Sequence, residues 1–252
     1  MNCCIVTGAS SGMGREFVLQ LDKAHPYDEI WVLARRAERL QELETQTRAR
    51  LRPIPADLST EEGLSALSDL LAAESPKVKT LVNAAGFGKF GAFTDLDAES
   101  QENMVDLNVK ALMSACHRVL PYMGEGSEIY NLGSLSSFQP VPYIGVYGAT
   151  KAFVLSFSRA LNVELKKRKI RVMAVSPGWV KTEFFSRAVQ DDTITYYNRF
   201  YTATQVVKRA LRDMKKGKDV SVMGLPVRMQ VRAVKFLPHR LVMKIWCLQQ
   251  KK

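Results

Sequence analysis

The 252-residue sequence predicts an α/β chain: a doubly wound parallel sheet of about seven strands with helices on both faces. Three observations predict it. Apolar runs of strand length (Cys3–Thr7, Ile30–Leu33, Leu51–Pro55, Thr80–Asn83, Ile129–Leu132, Val172–Val175 and Val220–Val222) alternate with longer helical patterns. That alternation is the signature of βαβ units. A glycine-rich turn follows the first run and opens a helix, and a hydrophobic content of 46% suffices for one sizeable core. Right-handed crossovers then place helices on both faces and leave the carboxyl ends of the strands as the place for a site. One main unit is expected over residues 1–225, with a lid-like segment at about 179–203, followed by a basic amphipathic helical segment at 226–252.

Composition excludes several classes of chemistry. Cys3, Cys4, Cys116 and Cys247 form no CxxC pair and have no histidine at metal-ligand spacing, which argues against a zinc site or a disulfide framework. His25, His117 and His239 are far apart, so a Ser/His/Asp hydrolase or a histidine-bound metal is a poor prospect. The N-terminus lacks a basic stretch and a cleavage site, and no apolar run reaches spanning length, which together suggest a cytoplasmic protein. The net charge of +11 is unevenly placed: residues 208–252 hold 13 Lys+Arg against 2 Asp+Glu, and the other 23 of each cancel. Such a segment attracts anionic surfaces.

Taken in order, the elements bring chemistry to the strand ends. The first turn reads Thr7-Gly8-Ala9-Ser10-Ser11-Gly12-Met13-Gly14 and enters a helix containing Phe17, Val18 and Leu21. Glycines allow a tight turn and close approach, and the helix N-terminus offers free N–H groups to a pyrophosphate. A helix-entry turn without a ligand would read the same way. The second strand ends in Ala34-Arg35-Arg36, where a carboxylate would repel a 2′-phosphate. Two cations instead favour NADP(H) over NAD(H), the alternative being ordinary solvated charges. Further along, Tyr147-Gly148-Ala149-Thr150-Lys151 starts a long helix. A spacing of four sets phenol and ammonium on one face, where a cation favours phenolate and tunes a general acid; taken alone, such a pair also occurs often by chance on exposed helices. Between Trp179 and Tyr201 aromatic residues mix with Asp191, Asp192 and threonines, which suggests an irregular lid, and a helix starts from Gln205.

In this order the motifs resemble the short-chain dehydrogenase/reductase family over almost the whole chain, and the resemblance implies a Rossmann-type fold. By that resemblance Gly8, Ser10, Ser11, Gly12, Met13 and Gly14 form the cofactor turn, Asp57 and Leu58 contact adenine, and Asn83-Ala84-Ala85-Gly86 borders the cofactor. Asn108 corresponds to a helix-bending asparagine that holds a water in a proton relay. Ser134, 13 residues before Tyr147, is the serine preferred over Ser136 and Ser137. Pro177, Gly178, Val180 and Thr182 match the segment that closes on the nicotinamide, with Arg35, Arg36, Tyr147 and Lys151 completing the cofactor contacts. Two departures stand out: Gly133 replaces a common serine, and no basic residue precedes Gly12.

The implied activity is NADPH-dependent hydride transfer between an alcohol and a ketone or aldehyde, apolar or lipid-like in character. Ser134 would orient the carbonyl and Tyr147 donate the proton; Lys151 would lower the phenol's pKa and bind the nicotinamide ribose. A catalytically silent cofactor-binding regulator or scaffold is the alternative. A homo-oligomer, dimer or tetramer, is expected from the family, and nucleic acid is not. In the tail, Val231, Val234, Leu237, Leu241, Val242, Ile245, Trp246 and Leu248 recur at helical spacing among cations. That pattern suits peripheral membrane contact, or docking on the same chain or a second subunit with Pro238 as a break.

Overall fold

The computed structural model describes residues 1–189 and 192–252, so Asp191 of the expected lid lies outside the described residues. All seven expected runs are strands of one parallel sheet: β1 (Asn2–Thr7), β2 (Glu29–Ala34), β3 (Arg50–Pro55), β4 (Lys77–Asn83), β5 (Met123–Leu132), β6 (Arg171–Val175) and β9 (Val220–Ser221). Their order is β3-β2-β1-β4-β5-β6-β9. The chain marches outward from β1 to β3, then returns to the other side of β1 at β4. That reversal opens a crevice beyond the carboxyl ends of β1 and β4, where an open sheet of this type takes its ligand.

Strands β1, β2 and β6 are almost wholly buried because both faces are covered, whereas β3 at the edge is mostly half-buried or exposed. On one face α1 (Gly12–Ala24) and α8 (Ala203–Lys215) bring Phe17, Val18, Leu21, Val207, Ala210 and Met214 against Val6, Val32 and Tyr130. On the other, α3 (Glu61–Glu74), α5 (Leu112–Val119) and α6 (Gly145–Glu164) press Leu67, Leu71, Ala115, Val154 and Leu161 onto Ile5, Leu81 and Ile129. The period of these apolar positions, near 3.6, sets the inward stripe of each helix.

Two expectations are revised. The span from Trp179 is not irregular throughout: β7 (Trp179–Lys181) pairs in parallel with β8 (Phe200–Thr202), and α7 (Glu183–Ala188) lies between them. Three-residue strands are too short for alternation to register. Helix α8 starts at Ala203, two residues before Gln205, because Thr202 and Gln205 form a reciprocal cap: each backbone N–H donates to the other's side chain, at 3.1 and 3.2 Å. The tail forms two helices, α9 (Leu225–Val234) and α10 (His239–Gln249), broken at Pro238. It docks on its own chain. Val227 and Val231 join the cluster under α1 and α8, and the Trp246 indole N–H donates to the Pro142 carbonyl at 3.0 Å.

Candidate active site

The turn after β1 is held by close backbone contacts. Gly8 has φ +67°, and a Cβ there would stand 2.6 Å from the Ala85 amide nitrogen. At Gly14 a Cβ would lie 2.2 Å from the Gly8 carbonyl oxygen, so α1 can pack over the turn only without a side chain. The Thr7 hydroxyl accepts from the amides of Ala84 and Ala85, both at 3.1 Å, tying the ends of β1 and β4 together. Ser11, the residue before α1, is extended and makes no side-chain cap. The first N–H groups of this 13-residue helix are therefore not capped by Ser11, and a helix start of this kind suits an anion.

The tip of β2, which leads into the short helix α2 (Ala37–Gln41), carries the cations. Arg35 is exposed and lies 3.5 Å from Asp57. Despite the burial that raises it, the Asp57 carboxyl is held below its usual range by the Ser59 hydroxyl and amide and then by Arg35. Leu58 is buried in the core. Arg36 turns inward, donating to the hydroxyls of Ser10 and Ser11 at 3.0 and 2.9 Å and to Glu183 at 2.8 Å. Arg39 binds the other oxygen of the same carboxylate. Hydrogen bonds from Arg36 and Arg39 pull Glu183 down to about 2, so at neutral pH it is an anion gripped by the two guanidinium groups. The guanidinium groups at the β2 tip thus already hold one negative group. Two guanidinium groups beside a glycine turn suit the phosphates of a nicotinamide dinucleotide.

At the centre of the sheet the Asn83 amide donates to Asn131 at 2.9 Å and to Cys116 at 3.2 Å, so its side chain ties β4 to β5. Asn108 sits in a π-helical turn, Asp106–Ala111, between α4 (Ala98–Val105) and α5. Such a turn bends the helix and frees backbone groups. The Asn108 side chain exchanges two hydrogen bonds with Phe87, at 3.0 and 2.8 Å, and donates to Thr150 at 3.2 Å. A Cβ on Gly86 would reach 2.7 Å from Asn108 Oδ1 and 3.4 Å from Lys151 Nζ, so both polar groups lie directly beneath this glycine.

Helix α6 delivers Tyr147 and Lys151. Lys151 is buried, and its ammonium lies 5.7 Å from the Tyr147 ring centroid and donates to the Leu132 carbonyl at 2.8 Å. Burial pushes Lys151 down to about 8. Burial also pushes the Tyr147 phenol up to about 12, opposed by its hydrogen bond with the Ser134 hydroxyl. The phenol is thus raised, contrary to the expected lowering by Lys151: the ring is enclosed by Phe90 and Phe184 at centroid distances of 5.4 and 5.6 Å, and its desolvation outweighs the hydrogen bond from Ser134. Ser134 is presented by a short 3₁₀ turn, Leu135–Phe138, whose Ser137 hydroxyl donates to the Lys151 carbonyl at 2.7 Å. Ser134, Tyr147 and Lys151 therefore converge, with Asn108 below.

Ser134 and Tyr147 line one end of a cavity of about 430 Å³. Leu135, Val141, Ile144, Trp179 and Phe184 form one side, and the tail supplies the other through Val234, Leu237, Val242, Ile245 and Trp246. Its polar lining beyond the serines and tyrosines is amide only: Gln139, Asn198, Gln230 and Gln249. No charged side chain lines it among the described residues. Gly178 lies on this wall, the Pro177 carbonyl accepts from the Leu135 amide at 2.7 Å, and Thr182 packs against Gly12. The Val180 side chain is buried in the core.

Sequence reasoning missed Thr7 as a strand tie, Glu183 and Arg39 at the β2 tip, and the tail as a cavity wall. The reciprocal charges of Arg36, Arg39 and Glu183 were a signal, but nothing local joins positions some 147 residues apart.

Comparison with known proteins gives a consistent picture. The sequence profile of the family described as short chain dehydrogenase matches residues 2–193. Sulfoacetaldehyde reductase 2 of Chromohalobacter salexigens is 38% identical over 189 residues, 71% of this chain and 73% of its own. Among solved structures, a short-chain dehydrogenase from Sphingobium yanoikuyae in complex with NADPH superposes with a TM-score of 0.81 at 29% identity, covering 94% of this chain and 93% of its own. The bulky-bulky ketone specific alcohol dehydrogenase from Comamonas testosteroni superposes with a TM-score of 0.75 at 25% identity, covering 94% and 92%.

Proposed function

The chain belongs to the short-chain dehydrogenase/reductase family, as an NAD(P)-dependent oxidoreductase acting on CH–OH groups, and we propose that it reduces a neutral, apolar ketone or aldehyde with NADPH. The observation that carries this reading is the position of Ser134 and Tyr147 at the end of an apolar cavity without a charged lining residue among those described.

Arg36 and Arg39 would hold the 2′-phosphate, the turn around Gly8, Gly12 and Gly14 the pyrophosphate, and Lys151 the nicotinamide ribose. When bound, the nicotinamide supplies the hydride. The Ser134 hydroxyl orients the carbonyl oxygen toward Tyr147. A phenol raised to about 12 is fully protonated at neutral pH and serves as the acid that protonates the developing alkoxide. The Lys151 ammonium then faces a phenolate whose charge it offsets, and Asn108, bonded to Phe87 and Thr150 beside it, positions the route by which the proton is restored.

The cavity also bears on substrate class. A charged group taken into it would lose water with no counter-ion on the wall, a cost of several kcal/mol. Sulfoacetaldehyde, in the name of the Chromohalobacter relative, carries a sulfonate that would meet no cation there. A ketone with two bulky groups, the class in the Comamonas enzyme's name, suits the lining better if those groups are apolar.

The test is NADPH oxidation over a panel of apolar ketones and aldehydes with the wild type and Tyr147→Phe. The variant is expected to lose roughly 10²- to 10⁴-fold in kcat while its NADPH affinity, followed by nucleotide fluorescence, stays near wild type. Wild-type-like turnover in the variant would remove the phenol from its role. Arg36→Ala tests the cofactor reading: the Kd for NADPH is expected to rise by roughly 10-fold or more with NADH little affected, and equal losses for both would sink it.

A further inference from the structure

Helices α9 and α10 each present two faces. Inward, Val227, Val231, Val234 and Val242 are buried. Outward, Leu225, Met229 and Phe236 follow one another along α9 and the turn after it, and Leu241, Ile245 and Leu248 recur at i, i+4 and i+7 on α10. Phe236 is 87% exposed and Leu248 65%. Large apolar side chains rarely line up in water without a partner.

Cations border this stripe. Arg228, Arg232, Lys235, Arg240, Lys244, Lys251 and Lys252 lie between Val220 and Lys252, a stretch with no Asp or Glu to neutralise them. The stripe is also continuous with the cavity: Leu237 and Ile245 are exposed and line it as well. No described helix is long and apolar enough to cross a membrane.

We propose that the outer face of α9 and α10 docks on an anionic lipid surface, the apolar stripe entering the headgroup layer and the cations meeting lipid phosphates and carboxylates, with the cavity mouth at Leu237 and Ile245 opening toward the bilayer. An apolar stripe ringed by cations is the pattern of an interfacial helix. A two-fold contact of this face with itself would bring two sets of cations together with no acid between them. A nucleic-acid backbone would match the cations but leave Phe236 and Leu241 exposed to water. The docking surface stands on its own; only the passage of substrate from bilayer to cavity rests on the proposed function.

Flotation of the full chain with phosphatidylcholine vesicles, and with vesicles containing phosphatidylserine, tests it at physiological salt. The wild type is expected to float with the anionic vesicles and not with the neutral ones. Phe236→Glu/Leu241→Glu, which removes stripe residues outside the cavity, and Arg240→Gln/Lys244→Gln, which removes charge, are each expected to weaken binding by on the order of tenfold. Both variants should keep the wild-type circular dichroism and turn over a small water-soluble ketone at the wild-type rate, so that a failure of docking is separable from a failure of the catalytic reading. No flotation with anionic vesicles overturns the proposal. So does loss in the charge variant alone, which would leave a plain polycation. Dissociation of an oligomer by Phe236→Glu/Leu241→Glu in light scattering would also overturn it, assigning the face to a second copy.

Discussion

At the scale of single residues, the most telling group is the Lys151 ammonium, buried beneath Gly86 with the Leu132 carbonyl as its hydrogen-bond partner. Burial lowers its pKa to about 8 from an ordinary 10.5. The unfolded chain therefore holds more protons than the folded one between these values, and the contribution of this group to stability rises with pH across that window. Below about pH 8 the whole cost of burying the charge is present, roughly 3 kcal/mol at one pKa unit per 1.36 kcal/mol. Above pH 9 the raised Cys116 thiol, and above pH 10 the raised Tyr147 phenol, act in the opposite direction, since there the folded state holds the extra proton. The comparison must therefore be made against a variant sharing those groups. In urea unfolding, wild type is expected to gain stability relative to Lys151→Met as pH rises from 7.5 to 9.5. A constant difference between the two proteins would show that the ammonium is not desolvated as described. In the proposed mechanism the same burial would serve catalysis, because a site that charges the lysine at a cost is relieved when an anion, such as phenolate, forms nearby.

At the scale of elements, α7 and the tip of β2 form one device. Glu183, the first residue of α7, is held by Arg36 and Arg39, and Arg187 on the next turn lies 3.4 Å from the same carboxylate. Helix α7 also carries Phe184, which packs on the Tyr147 ring, so the ion-paired end and the active-site end of the lid are adjacent residues. A 2′-phosphate and the Glu183 carboxylate would compete for the same guanidinium groups. Glu183→Gln is therefore expected to tighten NADPH binding by roughly fivefold, the scale of a partly exposed ion pair, while NADH affinity changes little. Fluorescence titration with both nucleotides reads this directly. Weaker NADPH binding in the variant would mean that Glu183 organises the arginines and does not compete for them. The effect should shrink as salt is raised, because these side chains are partly exposed.

At the scale of the whole molecule, what could be read from the sequence follows the range of the interactions. The seven strands and the Tyr147–Lys151 pair were legible because an apolar run of strand length and a helix spacing of four are local. The lid strands β7 and β8 were not, having three residues each and no side-chain pattern of their own. Nor was the cavity: its far wall comes from α9 and α10, which lie beyond the family match ending at residue 193 and reach back by contacts such as Trp246 to Pro142, 104 positions away. The tail is pinned to the lid as well. Gln250 is buried, and its side-chain oxygen accepts from the amides of Thr195 and Tyr196 at 2.8 and 3.0 Å. Replacing it by alanine leaves both amides without that partner, a loss of roughly 1–3 kcal/mol for the pair. This loss should fall on the wall of the cavity and leave the sheet intact, because Gln250 touches only the lid segment in these bonds. For Gln250→Ala, hydrogen exchange is expected to quicken over residues 193–202 and 239–250 and to stay unchanged in β1, β4 and β5. The KM for large ketones should rise with kcat for small ones preserved. Faster exchange throughout the sheet would instead make the tail part of the global folding unit, and substrate selection could then not be altered there without loss of the fold.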